Sequence, residues 1–364
     1  MTAPAVHPGD VNAHTHLYSG LTPLGMPAPN APPANFVEIL ERVWWRLDRA
    51  LDPSSLRASV RYYAAEALRH GTTTLVDHHE SPNFVDGSLD VIADACAEIG
   101  VRVVVCYGAT ERNRGRQEAK RGLAECARFA RTNERPLARA LVGLHASFTV
   151  SDETLREAGE LCSALGLAAH VHCAEDGADV EDARRRGYAG PLERLLELGA
   201  LPEGSLLAHG VHLDERQVEA AEARGLWFAQ NPRSNEGNHV GYARSLHAAR
   251  RALVGTDGFP ADLRMELAAL HRLAARHDPD TDPDALDLRL EHNLAFAAAH
   301  FGADAIARDR VTRDVTAPGA PVAHVVVDGR VVVDGGRLVT ADEDEIRAQA
   351  RIEATRLWKR MVTM

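Results

Sequence analysis

The stretch that decides the fold is DVNAHTHL, residues 10–17, a short β-rich run that ends in His14-Thr15-His16. Residues i and i+2 of a strand point to the same face, so both imidazoles can reach one point. Two neutral imidazoles aimed at one point form a divalent metal site, although HxH alone is also consistent with two polar residues at a strand end. The rest of the chain decides between these interpretations.

Strands and helices alternate along the rest of the chain. Seven further strands are predicted at residues 72–79, 102–110, 140–147, 167–175, 205–213, 226–232 and 252–258. Strict β-α alternation favours a parallel sheet with helices outside, and eight such units fit a closed (β/α)₈ barrel of the TIM type. The rival is an open doubly wound sheet, but no GxGxxG motif follows the first strand, which argues against its dinucleotide-binding form.

The tail of the chain has a different pattern. Two β runs within residues 322–340 are joined through Asp328-Gly329, which is a hairpin signal, and a charged helix follows at about 342–361. We therefore predict a barrel domain over residues 1–305. A reduced β appendage, a remnant hairpin plus a closing C-terminal helix, would occupy residues 306–364.

Composition restricts the classes of function. The 364-residue chain carries a net charge of −11, whereas nucleic-acid and acidic-membrane partners require a basic face. No uncharged apolar run approaches the length of a membrane span, and no signal peptide is visible. The five cysteines are odd in number and none has CxxC spacing, so we expect reduced thiols in a cytoplasmic protein.

Polar side chains lie at the ends of seven of the eight predicted strands. In strand order they are His14 and His16; Asp77, His78 and His79; His145; His170, His172 and Glu175; His209 and His212; Asn231, Ser234 and Asn235; and Asp257. Active residues of such barrels sit at the carboxyl ends of the strands. Several histidines and carboxylates in one mouth favour a bound metal, because unpaired buried charge is costly.

Several motifs together carry a family resemblance. The stretches are NAHTHLYSGL, ILERVWWRLDRAL, GTTTLVDHHESPN, GSLDVIADA, GLHASFTVSDETL, HVHCAEDGADVE, LLAHGVHLDER, NPRSN, GTDG, LVTADEDEI and RLWKRM. By these motifs the chain resembles the amidohydrolase superfamily. Within it, the chain is similar to the aminohydrolase branch, which includes triazine hydrolases and guanine and adenosine-type deaminases, and it looks closest to SsnA-type aminohydrolases.

The resemblance implies roles for six residues. It makes His14, His16, His172 and Asp257 the metal ligands, with Asp257 also accepting the proton of the attacking water. It places His209 beside that water and makes Glu175 the proton shuttle, as general acid–base catalysis requires. His170 shares the face of His172, and we interpret it as a supporting or core histidine.

The number of metal ions follows from the lysines. Two-metal members of the superfamily bridge their ions with a carboxylated lysine on strand four. The lysines of this chain are Lys120, on a predicted helix, and Lys359, in the tail. We therefore expect one divalent ion per chain, Zn²⁺ in the first place and Fe²⁺ as the alternative, since imidazoles with one carboxylate suit both.

Substrate contacts are expected from residues around the predicted mouth. The candidates are Trp44, Trp45, Arg112, His145, Asn231, Ser234 and Asn235. Adjacent helical residues do not face one side, so one of the two tryptophans can contact the substrate while at least one can belong to the core. Arg112 could bind an acidic substituent or belong to a solvated loop.

We therefore predict that the chain is a mononuclear metal-dependent aminohydrolase that deaminates a small N-heterocyclic or amidine-type substrate. The alternative within enzymes is a cyclic amidohydrolase, which opens a ring. A degenerate barrel that serves as a binding or scaffold subunit is the non-enzymatic alternative.

Two departures from typical relatives bear on these predictions. Only thirteen residues precede HTH, where relatives carry a longer β segment, so we expect exposed apolar surface and a homo-oligomer, a dimer by symmetry. Gln230 stands where relatives commonly have His, a change that could alter substrate recognition.

Overall fold

A computed structural model describes residues 5–313 and 322–364. Its strands are β1 Ala5–Pro8, β2 Asp10–Thr15, β3 Thr72–His79, β4 Arg102–Tyr107, β5 Ala138–Ala140, β6 Val142–Ala146, β7 Ala169–Cys173, β8 Leu206–His209, β9 Trp227–Gln230, β10 Ala252–Val254, β11 Arg310–Arg313, β12 His324–Val327, β13 Arg330–Asp334 and β14 Arg337–Leu338. Strands β2 to β5 and strands β6 to β10 form two parallel sheets in sequential order.

The two parallel sheets close into one barrel. Strands β5 and β6 are one strand interrupted at Leu141, whose N–H still donates to Val105 O at 2.9 Å. Parallel bridges join Ala109 to Leu144 at one edge and Thr15 to Asp257 at the other. The predicted eight-stranded (β/α)₈ barrel is confirmed, with the carboxyl ends of all eight strands at one mouth.

The helices are α1 Phe36–Ile39, α2 Trp45–Ala50, α3 Pro53–Arg69, α4 Ser88–Ile99, α5 Arg116–Thr132, α6 Asp152–Leu165, α7 Gly177–Arg185, α8 Pro191–Glu197, α9 Glu215–Glu222, α10 Pro232–Gly237, α11 Leu263–His277, α12 Pro283–Phe301, α13 Ala303–Ile306 and α14 Glu343–Thr363. Eight of these helices begin with side-chain caps, among them Asp52 before α3, Ser151 before α6 and Asp214 before α9. Such caps satisfy backbone N–H groups that a first helical turn leaves unpaired. A 3₁₀ turn, Arg244–Ala248, precedes β10.

The barrel interior is packed and closed by a helix. Val11, Val104 and Leu253 come from strands around the barrel, yet they share one apolar cluster with Phe296 of α12. Because α12 packs against β2 and β10 and contributes Phe296 to this cluster, it covers the barrel core where the first and last strands meet. No helix within the described residues is both long and apolar enough to cross a membrane.

The β appendage is larger than predicted. It is a five-stranded antiparallel sheet in the order β1-β11-β12-β13-β14, whereas a remnant hairpin was expected. Asp328 and Gly329 form the predicted hairpin turn, both with positive φ (51° and 81°). The prediction was wrong about size because β1, AVHP, precedes the barrel in sequence and pairs with β11 more than 300 residues later. Such pairing between distant segments leaves no local signal.

Candidate active site

The candidate site lies at the mouth of the barrel. Residues at the strand ends converge there and are almost completely buried: His14, His16, His145, His172, His209 and Asp257 are each at most 7% exposed. A cavity opens above them and is lined by His16, His145, His172, Glu175, His209 and Asp257, among others. The sequence-predicted residues of five strands therefore meet in one place.

Four of these side chains form a compact cluster. The ligand atoms of His14, His172, His209 and Asp257 all lie within 4.8 Å of one another. His16 adjoins this cluster, with its Nε2 atom 2.8 Å from Asp257 Oδ1 and 3.3 Å from His172 Nε2. The structure thus brings together all four predicted ligands. It also places His209 close enough to contribute a ligand atom to the same cluster.

The hydrogen-bond partners of His16 and His172 determine which ring nitrogens face the centre of this cluster. His16 Nδ1 donates to His78 O at 2.5 Å, and His172 Nδ1 donates to His145 O at 2.7 Å. In the neutral imidazoles, both Nε2 atoms therefore carry lone pairs. These Nε2 atoms face each other and the Asp257 carboxylate, so a cation must lie between them. A proton on His16 can fill that role, and the imidazole and carboxylate donors also fit a divalent metal ion.

The ionisation states of the cluster residues also favour a bound cation. Burial lowers the pKa of His14 to about 3, so this imidazole is neutral and can act as a ligand. Burial also opposes charge on His16, but the adjacent Asp257 carboxylate raises its pKa to about 9. Burial would raise the pKa of Asp257, yet the two histidines hold it well below its ordinary value. The site therefore stabilises positive charge at the point where the side chains meet.

Strained backbone marks the same region. Ala174, His209 and Asp257 have φ values of 52°, 77° and 53°, in the left-handed region that non-glycine residues rarely occupy. Such conformations persist where surrounding contacts enforce them, and they cluster at functional sites. Here they aim the side chains of His209 and Asp257 into the mouth.

Two further histidines support the cluster from behind. His170 Nε2 lies 2.9 Å from His14 Nδ1, in agreement with its interpretation as a supporting histidine. His78 donates through Nε2 to Leu144 O at 3.0 Å, and its Nδ1 lies 2.8 Å from a Glu80 carboxylate oxygen. These contacts fix ring orientations, the usual work of residues around a metal ligand.

The three predicted substrate contacts after strand seven lie behind the cavity wall, next to Asp257 and His209. Ser234 Oγ donates to Asp257 Oδ2. Asn231 Nδ2 and Asn235 Oδ1 both lie 3.4 Å from His209 Nδ1. All three are at most 2% exposed, and the described residues that line the cavity do not include them. They face Asp257 and His209 because α10 begins directly after the strand and turns them inward.

Glu175 lies beside the cluster without joining it. Its Oε2 atom is 3.5 Å from His209 Nε2, and Asn238 hydrogen-bonds its carboxyl group. Burial and the neighbouring Asp257 charge raise its pKa well above the ordinary value. A carboxyl group that holds its proton in a cavity can deliver that proton to a bound molecule.

The cavity roof comes from the segment after strand one. Residues Leu40–Trp44 form a π-helical turn between α1 and α2. Both Trp44 and Trp45 line the cavity, and both also pack against the apolar cluster of Phe36, Leu40 and Val240. The wider turn changes the angle between adjacent side chains, and π turns occur frequently at functional sites. A Cβ atom on Gly258 would lie 3.2 Å from the Trp44 ring, so this glycine lets the ring approach the backbone beside Asp257.

Arg112 also lines the cavity, but its charge is already paired. Its Nη2 atom is 2.8 Å from Asp48 Oδ2, and the guanidinium lies 4.8 Å from the centre of the Trp45 ring. Burial raises the pKa of Asp48 to about 6, and Arg112 opposes that rise. The pair fixes Trp45 in the roof, which gives Arg112 a structural partner in place of a solvated loop.

Sequence reasoning missed several residues of the cavity wall. They include Tyr18, Asp48, Glu80 and Asn238. Glu80 follows the predicted strand end Asp77-His78-His79 directly, so extending that strand by one residue finds it. The other three lie on helices or turns, where periodicity does not indicate a polar residue that faces a cavity.

Other singled-out residues lie elsewhere. His212 is exposed and lines a separate groove beside α8 and α9. Gln230 is buried and accepts a hydrogen bond from Arg289, so its side chain is committed to α12. Lys120 and Lys359 lie on α5 and α14, away from the barrel strands.

Comparison with known sequences defines the class. The sequence profile of the amidohydrolase family matches residues 5–291. The chain therefore belongs to the amidohydrolase family, and it is a hydrolase that acts on C–N bonds other than peptide bonds.

Relatives with named activities sharpen this assignment. The chain is 29% identical to a 5'-deoxyadenosine deaminase of Methanopyrus kandleri, over 94% of this chain and 84% of the relative. It is 28% identical to a 5-methylthioadenosine/S-adenosylhomocysteine deaminase of Moorella thermoacetica, over 94% and 85%.

Solved structures share the fold. An adenosine deaminase from Xanthomonas campestris with bound zinc superposes with a TM-score of 0.82 at 24% identity, covering 98% of this chain and 86% of that one. The zinc complex of atrazine chlorohydrolase from Arthrobacter aurescens gives 0.77 at 20% identity, covering 97% and 88%.

Proposed function

We propose that this chain is a mononuclear metal-dependent aminohydrolase that deaminates a small N-heterocyclic or amidine-type substrate. The observation that carries the proposal is that the Nε2 atoms of His16 and His172 and the Asp257 carboxylate converge on one point, beside His14 and His209. The deaminases among its relatives support the same reaction class.

The proposed ligands are His14, His16, His172 and Asp257. His14 Nε2 is buried and has no hydrogen-bond partner among the described residues, as expected of a nitrogen reserved for an ion. Zn²⁺ is our first choice and Fe²⁺ the alternative, because the donor set suits both. We propose one ion per chain, since both lysines lie on outer helices and cannot supply a bridging group.

A divalent ion at this point would lower the pKa of a water molecule toward neutrality. Asp257 would accept the proton of that water. His209, whose Nε2 atom lies 3.5 Å from Glu175 Oε2, would orient the water molecule. Glu175, which burial keeps protonated, would deliver a proton to a ring nitrogen and make the neighbouring carbon electrophilic. The hydroxide left by that water would add to this carbon, Asp257 would pass its proton to the amino group, and the C–N bond would break to release ammonia.

The cavity wall supports a flat, nitrogen-containing substrate. Trp44, Trp45 and Phe148 provide apolar ring surfaces above the cluster. The Thr149 hydroxyl donates its hydrogen to Ala146 O, so His145 Nδ1 must donate to Thr149 Oγ1. His145 Nε2 is then a lone-pair acceptor in the cavity, suited to an N–H or O–H group of the substrate.

A substrate screen tests the proposal. Purified protein loaded with Zn²⁺ is incubated with purines and purine nucleosides, pterins, pyrimidines and triazines, and released ammonia is measured. We expect stoichiometric ammonia from at least one member. A ring-opened acid without ammonia would establish the cyclic amidohydrolase instead. Neither product, together with binding of a substrate, would establish the non-catalytic alternative.

We also propose a two-fold dimer. Val6 of edge strand β1 is 62% exposed and borders an apolar groove that includes Leu294, Ala298 and Ile306. An exposed apolar groove beside an unpaired strand edge favours association. Light scattering at micromolar concentration should give twice the chain mass, and a stable monomer would contradict this part of the proposal.

A further inference from the structure

A buried hydroxyl cluster lies where the first barrel strand meets the segment after the last. The Tyr63 hydroxyl of α3 is 2.8 Å from Thr15 Oγ1, 2.7 Å from Thr256 Oγ1 and 3.2 Å from Asn12 Nδ2. Asn12 Nδ2 donates to Thr256 Oγ1 at 2.7 Å. All four residues are at most 3% exposed, so these groups satisfy one another without bulk solvent.

The members of this cluster flank the proposed ligands in sequence. Thr15 separates His14 from His16, and Thr256 precedes Asp257. The Thr15 hydroxyl also lies 3.1 Å from Asp257 O. A single hydroxyl from an outer helix therefore contacts both chain segments that supply three of the four proposed ligands.

Backbone contacts join the two segments at this seam. Thr15 and Asp257 form a parallel bridge, Thr256 N and Asp257 N donate to His14 O at 2.9 Å, and His16 N donates to Asp257 O at 3.2 Å. The Tyr63 hydroxyl adds side-chain contacts to this backbone seam. Asp257 has a φ of 53°, which surrounding contacts must enforce. The two segments also approach very closely, since a Cβ atom on Gly255 would lie 2.6 Å from His14 N. Small shifts here would separate His14 from Asp257.

We propose that Tyr63 is a positioning residue for the metal site, whose hydroxyl holds the first strand and the Asp257 segment in the geometry that binds the ion. This inference rests on the proposed function. Tyr63 acts as a neutral hydrogen-bonding group, because burial raises its pKa to about 12. It would not touch the ion or the substrate.

The test is Tyr63→Phe, which removes one oxygen and keeps the ring. The matched control is Tyr62→Phe on the same helix, since Tyr62 is partly buried and packs on the apolar core. Two properties are measured on the full-length chain: Zn²⁺ affinity by competition with a chromophoric chelator, and the visible absorption spectrum of bound Co²⁺.

We expect Tyr63→Phe to weaken Zn²⁺ binding by about 10- to 100-fold, the usual effect of losing a residue that supports metal ligands. The Co²⁺ bands should also shift, because they report ligand geometry. Tyr62→Phe should match the wild type in both. Thr256→Val keeps the side-chain shape and removes a second hydroxyl of the cluster, so it should also weaken Zn²⁺ binding. The loss of Zn²⁺ affinity in the double variant should be smaller than the sum of the two single losses.

Wild-type Zn²⁺ affinity and Co²⁺ spectrum in Tyr63→Phe would overturn the inference, even if its thermal stability fell. If Tyr63→Phe does not fold, the same two measurements on Thr256→Val decide in the same way. A wild-type chain that binds no ion would overturn the proposed function, and this inference with it. An ion-binding wild type with an unaffected variant overturns the inference alone.

Discussion

The floor and the roof of the cavity are built in different ways. The floor, His14, His16, His172, His209 and Asp257, comes from the ends of barrel strands and is held by backbone carbonyls and other histidines. The roof consists of Trp44 at the end of a π turn, Trp45 at the start of α2 and Phe148 in a 3₁₀ turn after β6. We therefore expect the floor to set the chemistry and the roof to set the choice of substrate.

This comparison leads to different expectations for substitutions in the two regions. Loss of a floor residue should be all-or-none, because several donors share one ion. Loss of a roof residue should be graded, because ring contacts contribute additively to binding. The predictions below test that difference.

His172→Ala should produce the largest effect. It removes a proposed ligand whose Nε2 atom lies at the centre of the cluster, so both bound metal and turnover should be lost. Metal content and ammonia release are measured together, with the exposed His212→Ala as the control. Full metal occupancy in His172→Ala would show that the ligand set is wrong.

Glu175→Gln should keep the metal and the fold while turnover falls. A glutamine amide can still hydrogen-bond a ring nitrogen, but it cannot deliver a proton, so kcat should fall by roughly 10²- to 10⁴-fold. Glu181→Gln, an exposed change on the helix after the same strand, is the control. Near-wild-type kcat with intact metal would refute the proton-shuttle role. Loss of metal would make Glu175 a ligand.

Trp45→Phe tests the roof. The smaller ring loses part of its stacking surface, so KM should rise by about 2- to 12-fold, the equivalent of 0.5–1.5 kcal/mol. Metal content and kcat should stay near wild type. Trp227→Phe, which packs against Phe296 away from the cavity, controls for loss of an indole. A metal-free Trp45→Phe protein would show that roof and floor are not independent.

Asp77→Asn should change how the free energy of unfolding depends on pH. Asp77 lies beneath the floor and accepts a hydrogen bond from Leu17 N at 2.7 Å. Burial raises its pKa from 3.8 to about 7, so the folded chain holds a proton that the unfolded chain has lost at intermediate pH. Stability from this proton is fully present below pH 3.8 and is lost as the pH rises through about 7.

The wild type should therefore lose on the order of 1–2 kcal/mol more stability than Asp77→Asn between pH 5 and pH 7. Chemical denaturation of both proteins at the two pH values measures this difference. Equal losses in the two proteins would mean that Asp77 is ionised in the folded state.

Much of the floor could be predicted from the sequence, for a physical reason. Strand periodicity and the parallel arrangement of (β/α)₈ units place all strand ends at one mouth, so His14, His172 and Asp257 could be grouped without coordinates. The positive φ values of His209 and Asp257 carry no local signal, because neither residue is glycine.

The roof and the appended sheet could be predicted only in part. The π turn that turns both tryptophans to the cavity is irregular, and no periodicity indicates it. Asp48 pairs with Arg112 across 64 residues, and β1 pairs with β11 across the length of the barrel. Contacts of this kind depend on the completed fold.

The most direct test is a titration of the metal-free wild-type chain with Zn²⁺. Bound metal is followed by chelator competition, and ammonia release is followed with a substrate from the screen. We expect both signals to saturate together at one ion per chain, and neither to appear in His172→Ala. Saturation at two ions per chain, or turnover without added metal, would contradict the central claim.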